Sequence, residues 1–229
     1  MITREFYIKQ LELRYFVAIN QFNLDLNHLL ERNKITSEEK VLDHLFKTLQ
    51  EIQDNNKESV IQIICDKFIL NQDHIYIACY YMQKAFFRKT NISNTKNIEL
   101  MLYLSTYRQI SKAIETVGIN SHDLKAGNII ICIISPIDNT PKINEEILQI
   151  LNANETELTL NNMTSEKIKK IIENYNILDS QIKPVLNSYL NKEKSKNDVD
   201  NEVEILSSAV FDLICEKMAL LNLEKIKSR

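Results

Sequence analysis

The sequence predicts an α/β fold, a single helix-rich domain over residues 1–229 with a small mixed β-sheet flanked by helices. Three observations carry that expectation. Apolar residues recur at 3.6-residue spacing through much of the chain, the pattern of amphipathic helices. Two short and almost wholly apolar runs, Val60–Cys65 and Ile129–Ile134, interrupt it and read as buried strands. Finally, 44% of the 229 residues are apolar, which is enough for a real core.

The elements follow in order. Residues 4–9 alternate at Phe6 and Ile8 and read as an edge strand, and Leu11–Leu30 is apolar without a decisive period. Thr36 and Glu39 form a capping box ahead of Val41, Leu42, Leu45, Phe46, Leu49 and Ile52, an amphipathic helix that residues 54–57 end. After the first buried strand, residues 71–88 form a helix that buries Ile75, Ala78, Cys79, Met82 and Phe86 and exposes Lys84 and Arg88. Ile98–Leu104 is a buried helix whose one charge, Glu99, suits the positive end of the dipole. Ser105 and Thr106 break the pattern and cap a second helix that begins with Arg108. It sets Ile110, Ala113, Ile114 and Val117 on one face and ends at Gly118 in a left-handed cap.

Beyond it, Ser121, His122 and Asp123 read as a turn before the strand 129–134, which Pro136 closes. A short helix at 144–151, a strand at 156–160 and a helix at 165–175 opened by Thr164 or Ser165 come next. Asp179 caps another helix, with Pro184 in its early turns. Residues 191–201 read as a mobile charged insertion, and Val203 to Leu221 trace a long amphipathic helix.

Composition excludes several function classes. Only two glycines occur, Gly118 and Gly127, so there is no Gly-rich phosphate loop and no dinucleotide fingerprint. Cys65, Cys79, Cys132 and Cys215 are widely spaced in apolar contexts and read as buried free thiols, not as a metal site. No apolar run is long enough to cross a bilayer, and the charged N-terminal residues Arg4, Glu5 and Lys9 carry no signal-peptide core, so a cytoplasmic location is expected. Ser121, His122 and Asp123 have the residue types of a catalytic triad, yet adjacent positions cannot form the relay. His74 and Cys79 are five apart on one helix, the wrong spacing for paired metal ligation. Neither an enzyme nor a metal or cofactor site is expected.

The overall charge of −3 is uninformative, but its distribution is not. Residues 84–112 hold Lys84, Arg88, Lys89, Lys96, Arg108 and Lys112 against one acid, Glu99. Arg108 and Lys112 lie one turn apart beside the free amides of a helix start, a candidate anion site.

The words Leu102-Tyr103, Arg108-Gln109-Ile110, Ala113-Ile114 and Gly118, followed by an apolar strand, resemble the small kinase-binding subunit family of the KEOPS complex. The resemblance reaches back through Asp73-His74 and Asp66 to the strand at 60–65. It reaches forward through Met163 to Lys167 and the helix end Lys217 to Leu221, and so covers nearly the whole chain. The family often has a glycine in the break where this chain has Ser105-Thr106-Tyr107, and residues 20–58 and 191–201 are longer than in a minimal member. The resemblance implies a non-catalytic subunit that binds the complex's small atypical kinase. It also implies help in binding transfer RNA, at its 3′ end, for threonylcarbamoyl modification of an adenosine, with no small-molecule substrate and no membrane.

Two sets of residues follow. Lys84, Arg88, Lys89, Arg108 and Lys112, with Tyr107 or Phe87 for base stacking, form a candidate RNA surface. Each has a plainer reading, as a solvated helix face or, for Arg108, as a partner of loop carbonyls. On the last helix, Leu206, Val210, Leu213, Ile214, Met218 and Leu221 are candidates for the kinase interface, and core packing is the plainer reading for most of them. A free-standing RNA-binding module without a kinase partner is the alternative class.

Overall fold

A computed structural model of the protein describes residues 1–24, 38–127, 129–192 and 199–222. The capping box expected at Thr36 and the centre of the charged insertion, 193–198, lie outside the described residues. In chain order the elements are β1 (Ile2–Ile8), β2 (Leu13–Leu24), α1 (Glu38–Asn55), β3 (Val60–Cys65), α2 (Gln72–Phe87), α3 (Lys96–Ser105) and α4 (Ile110–Val117). Then come α5 (Ser121–Ala126), β4 (Ile129–Ser135), α6 (Thr140–Leu151), β5 (Ala153–Thr156), α7 (Ser165–Asn174), α8 (Asp179–Lys192) and α9 (Val199–Leu220). The mixed, helix-rich class is the one the sequence predicts. The contacts divide into two compact units, each drawn from two separated segments: Met1–Asp66 with Gly118–Thr159, and Lys67–Val117 with Leu160–Arg229.

The first unit holds the sheet, in the order β1-β2-β4-β3, with β5 also paired to β2. All the ladders are antiparallel where the sequence reading has a mixed sheet. A parallel pair requires a crossover connection, and here β1 instead turns directly into β2 through Lys9–Leu11, with Glu12 in the left-handed region at φ 49°. The strand that the sequence leaves undecided, β2, is the longest and the most connected. It pairs with β4 along one edge and with β1 and then β5 along the other. Eight consecutive residues, Tyr15 to Phe22, are buried, so no alternation marks it as a strand.

One face of the sheet packs Ala18, Phe22, Ile61, Ile63, Ile131 and Ile133 against Leu45 and Leu49 of α1 and Ile143 and Ile147 of α6. Each such aliphatic contributes on the order of 1.5–3 kcal/mol on burial. Two polar side chains of β2 reach partners outside the strand. Asn20 Nδ2 donates to Asn144 Oδ1 at 3.0 Å, and Gln21 Oε1 accepts from the Thr159 amide at 2.9 Å.

Residues 121–123 form a helix, not a turn. The Asn120 side chain accepts from the amides of His122 and Asp123 while Asp123 accepts from the Asn120 amide, a complete capping box. The left-handed glycine expected at 118 is instead Gly127, the C-cap of α5 at φ 70°, where a Cβ would overlap Asn23 Oδ1.

The second unit is helical. All residues of α3 from Glu99 to Ser105 are buried, as in a helix that is apolar on every side. It packs on α2 and α4, and α9 packs on α8, α2 and α7. Asn71 caps α2 by accepting from the His74 amide at 2.9 Å. The His74 ring accepts from the Leu70 amide through Nδ1 at 3.3 Å and donates through Nε2 to the Leu104 carbonyl at 3.0 Å. The same carbonyl accepts from Tyr175 Oη at 2.6 Å.

This arrangement requires a neutral imidazole, because a proton on Nδ1 would face the Leu70 N–H. Burial therefore lowers the His74 pKa to about 4, against a smaller opposing effect of the Leu104 carbonyl. The folded-state value lies below the unfolded one of 6.5, so the stabilisation is complete above pH 6.5 and is lost as pH falls through 4. We expect urea titrations to show a loss of about 3 kcal/mol across that window, and His74→Gln to flatten it. In the first unit, Gly127→Ala is expected to lower stability by about 1–2 kcal/mol, read as a lower urea midpoint at unchanged slope.

Candidate functional site

The end of α2 is built as a helix terminus in which the chain turns back on itself. Arg88 N donates to Lys84 O at 3.0 Å, Lys89 N to Phe86 O at 3.2 Å and Thr90 N to Ala85 O at 2.9 Å. Lys89 holds the left-handed position at φ 55°, which glycine normally occupies. Beside this turn, in the second unit, lies a cleft of about 190 Å³ lined by Tyr81, Lys84, Arg88, Thr90, Tyr103, Ala219 and Asn222.

The tyrosines make its wall. The rings of Tyr81 and Tyr103 stack at 5.6 Å with 17° between planes, and Lys84 Nζ stands 5.4 and 5.7 Å from the centroids of Tyr80 and Tyr81. Asn222 Nδ2 donates to Tyr103 Oη and lies 3.4 Å from Thr90 Oγ1. Burial, then Glu99 and Tyr81, push the Tyr103 phenol above its ordinary range. Burial, then Cys215 and Tyr80, do the same for Tyr81. Both stay neutral at physiological pH. No carboxylate among the described residues pairs with Lys84 or Arg88. Two cations beside stacked aromatic rings and hydroxyls suit a ligand that carries a phosphate and a planar ring.

The loop from α2 to α3 is fastened from below. Glu99, fully buried, accepts from the Ile92 amide at 2.9 Å and from the Ser93 amide at 2.7 Å. Its role is thus to hold a loop, beyond the dipole effect that the sequence suggests.

The other predicted RNA residues gather elsewhere in this unit. Arg108 precedes α4, where the sequence reading has it open the helix, because Thr106 adopts the left-handed region at φ 57° and ends α3. Arg108 Nη1 donates to the carbonyl of Leu221, which is the plainer of its two readings. Tyr107 Oη donates to Asn174 O at 2.9 Å, and Lys112 Nζ lies 5.6 Å from the Tyr107 ring. On α4 the buried positions are Ala113, Thr116 and Val117. Ile110 and Ile114, placed inward by the sequence reading, are 44% and 47% exposed. The helix rotates because Thr116 can be buried once its hydroxyl donates to Lys112 O at 2.7 Å.

Of the six candidates on α9, Val210, Leu213, Ile214, Met218 and Leu221 are buried and only Leu206 is half-buried. Packing against α8, α2 and α7 occupies them. The exposed aliphatic of this helix end is Leu220, at 48%. Through the Arg108 to Leu221 bond, the end of α9 is tied to the chain entering α4.

Sequence reasoning missed Tyr81, Thr90, Tyr103 and Asn222 in the cleft. The two tyrosines could have been found: Tyr81 stands three positions before Lys84 on one helix face, and Tyr103 lies inside the quoted motif. Nothing in the sequence marks Asn222. Cys65, Cys79 and Cys132 are buried as expected, while Cys215 is half-buried with its thiol pushed up to about 11 by burial, Asp212 and Asp73. Among the described residues no cluster of His, Cys, Asp or Glu is placed to hold a metal ion, and no helix is long and apolar enough to cross a membrane.

The profile of the family described as kinase binding protein CGI-121 matches residues 32–222. No curated protein matches the chain.

The strained lysine gives a direct test of how the cleft is made. Lys89→Gly is expected to raise stability by about 0.5–1 kcal/mol in urea unfolding, since glycine adopts the left-handed region without steric cost.

Proposed function

The chain belongs to the CGI-121 kinase binding protein family. From that premise we propose that it is a non-catalytic, cytoplasmic accessory subunit of the KEOPS complex. It holds the complex's small atypical kinase and helps bind the 3′ end of transfer RNA for threonylcarbamoyladenosine modification.

The observation that carries the RNA half is the cleft at the end of α2. Lys84 and Arg88 answer phosphates, and the half-buried Tyr81, backed by the buried ring of Tyr103, offers the aromatic surface that unpaired nucleotides seek. Lys89, exposed and between Arg88 and Thr90 in the chain, adds a third cation to this turn. Arg108, Lys112 and Tyr107 extend the basic surface along the start of α4, with Arg108 already committed in part to Leu221.

The kinase half is supported by the exposed aliphatics Ile110, Ile114 and Leu220, with Leu206 further back on α9. Such side chains are the anchors that interfaces use. The five buried candidates of α9 act by shaping that helix.

Lys84→Glu with Arg88→Glu is expected to weaken transfer RNA binding at least tenfold and to reduce the salt slope by about 1.4 for two lost phosphate contacts, at unchanged kinase capture. Ile110→Asp with Ile114→Asp is expected to abolish co-purification of the kinase and to leave RNA affinity within about twofold. Normal RNA binding by the first variant refutes the cleft. A chain that binds RNA but captures no kinase is instead the free-standing RNA module.

A further inference from the structure

Glu99 is a costly residue to place in an apolar helix, because a buried carboxylate must find donors or destabilise the fold. Among its donors are the main-chain amides of Ile92 and Ser93, two and three residues beyond the Thr90 that lines the cleft. Thr95 N donates in turn to Ser93 Oγ at 3.2 Å, and Asn91 Nδ2 donates to Ser93 O at 2.8 Å, so the clamp fixes the whole connection from α2 to α3. On α3, Glu99 lies one turn before Tyr103, on the same face. One carboxylate thus ties the loop that supplies Thr90 to the helix that supplies the Tyr103 wall. The cations Lys84 and Arg88 stand on the other helix joined by that loop.

We infer that Glu99 is a positioning residue for the cleft: it sets the separation and register of the α2 and α3 walls so that the aromatic stack and the cations meet one ligand. The inference rests on the RNA reading of the cleft and adds to it a residue that touches no RNA.

Charge and position make opposite predictions. A negative charge near a polyanion site weakens binding, so if Glu99 acted only through its charge, Glu99→Gln would tighten RNA binding. Glu99→Asp would then leave it unchanged. If Glu99 positions the cleft, both variants weaken binding. Glutamine puts an NH2 donor where one carboxylate oxygen stands, 3.1 Å from the Ile92 N–H if the other oxygen keeps both amides, and aspartate is a methylene too short to reach the amides.

The experiment measures transfer RNA affinity of the full chain for wild type, Glu99→Gln, Glu99→Asp, Arg88→Ala and the double variant Arg88→Ala with Glu99→Gln, alongside kinase capture as the control for an intact fold. Expected are five- to tenfold losses for both Glu99 variants, normal kinase capture, and a double variant weaker than Arg88→Ala by less than twofold. Equal or tighter binding by Glu99→Gln, wild-type binding by Glu99→Asp, or fully multiplicative losses in the double variant would overturn the positioning role. Wild-type affinity of Arg88→Ala overturns the RNA reading of the cleft itself, an outcome separate from the others.

Discussion

From Glu99 to Ser105 the helix α3 is buried, so the carbonyls of its last turn must find partners other than water. The solution at its C-terminal end gathers three parts of the second unit around one turn. Leu104 O takes the His74 ring from α2 and the Tyr175 hydroxyl from the end of α7, Ser105 Oγ donates to Leu102 O, and Thr106 N returns to Tyr103 O. At the other end, the Glu99 carboxylate collects the amides of the incoming loop. Each polar group in this list would cost on the order of 1–3 kcal/mol if left unmet, so the positions of α2, α7 and the loop follow from the needs of α3.

That constraint explains why the aromatic cleft stands where it does. Tyr103 projects from a helix held at both ends, and Tyr81 stacks on it from α2, whose start His74 ties to the same helix. The cations therefore sit on a rigid support, as recognition of a flexible, charged ligand demands. In the first unit, by contrast, the organising piece is β2, whose Asn20 and Gln21 carry hydrogen bonds to residues 144 and 159 from within a strand otherwise committed to packing.

Much of this was legible in the sequence where a single period governs a segment. The amphipathic pattern located α2 to within a residue of its caps, and the run of isoleucines located β4. β2 was illegible because both of its faces are buried, which erases the alternation that marks a strand. α4 misled for a different reason: Ile110 and Ile114 share a stripe with Ala113 and Val117, and only a tertiary neighbour decides which edge of the stripe turns inward. For the site, the basic residues were visible as types, but their division between the cleft and the start of α4 depends on the left-handed turns at Lys89 and Thr106, positions where a sequence reader expects glycine.

The bond from Arg108 to Leu221 ends on a main-chain oxygen, and this makes the two partners unequal under mutation. Any side chain at 221 leaves the acceptor in place, so drift at that position is limited only by the packing of its buried side chain. At 108, a change to lysine would forfeit the planar fork and its reach. The arginine reads the path of the backbone, not its sequence, and the helix end can vary in composition while its address within the unit is kept.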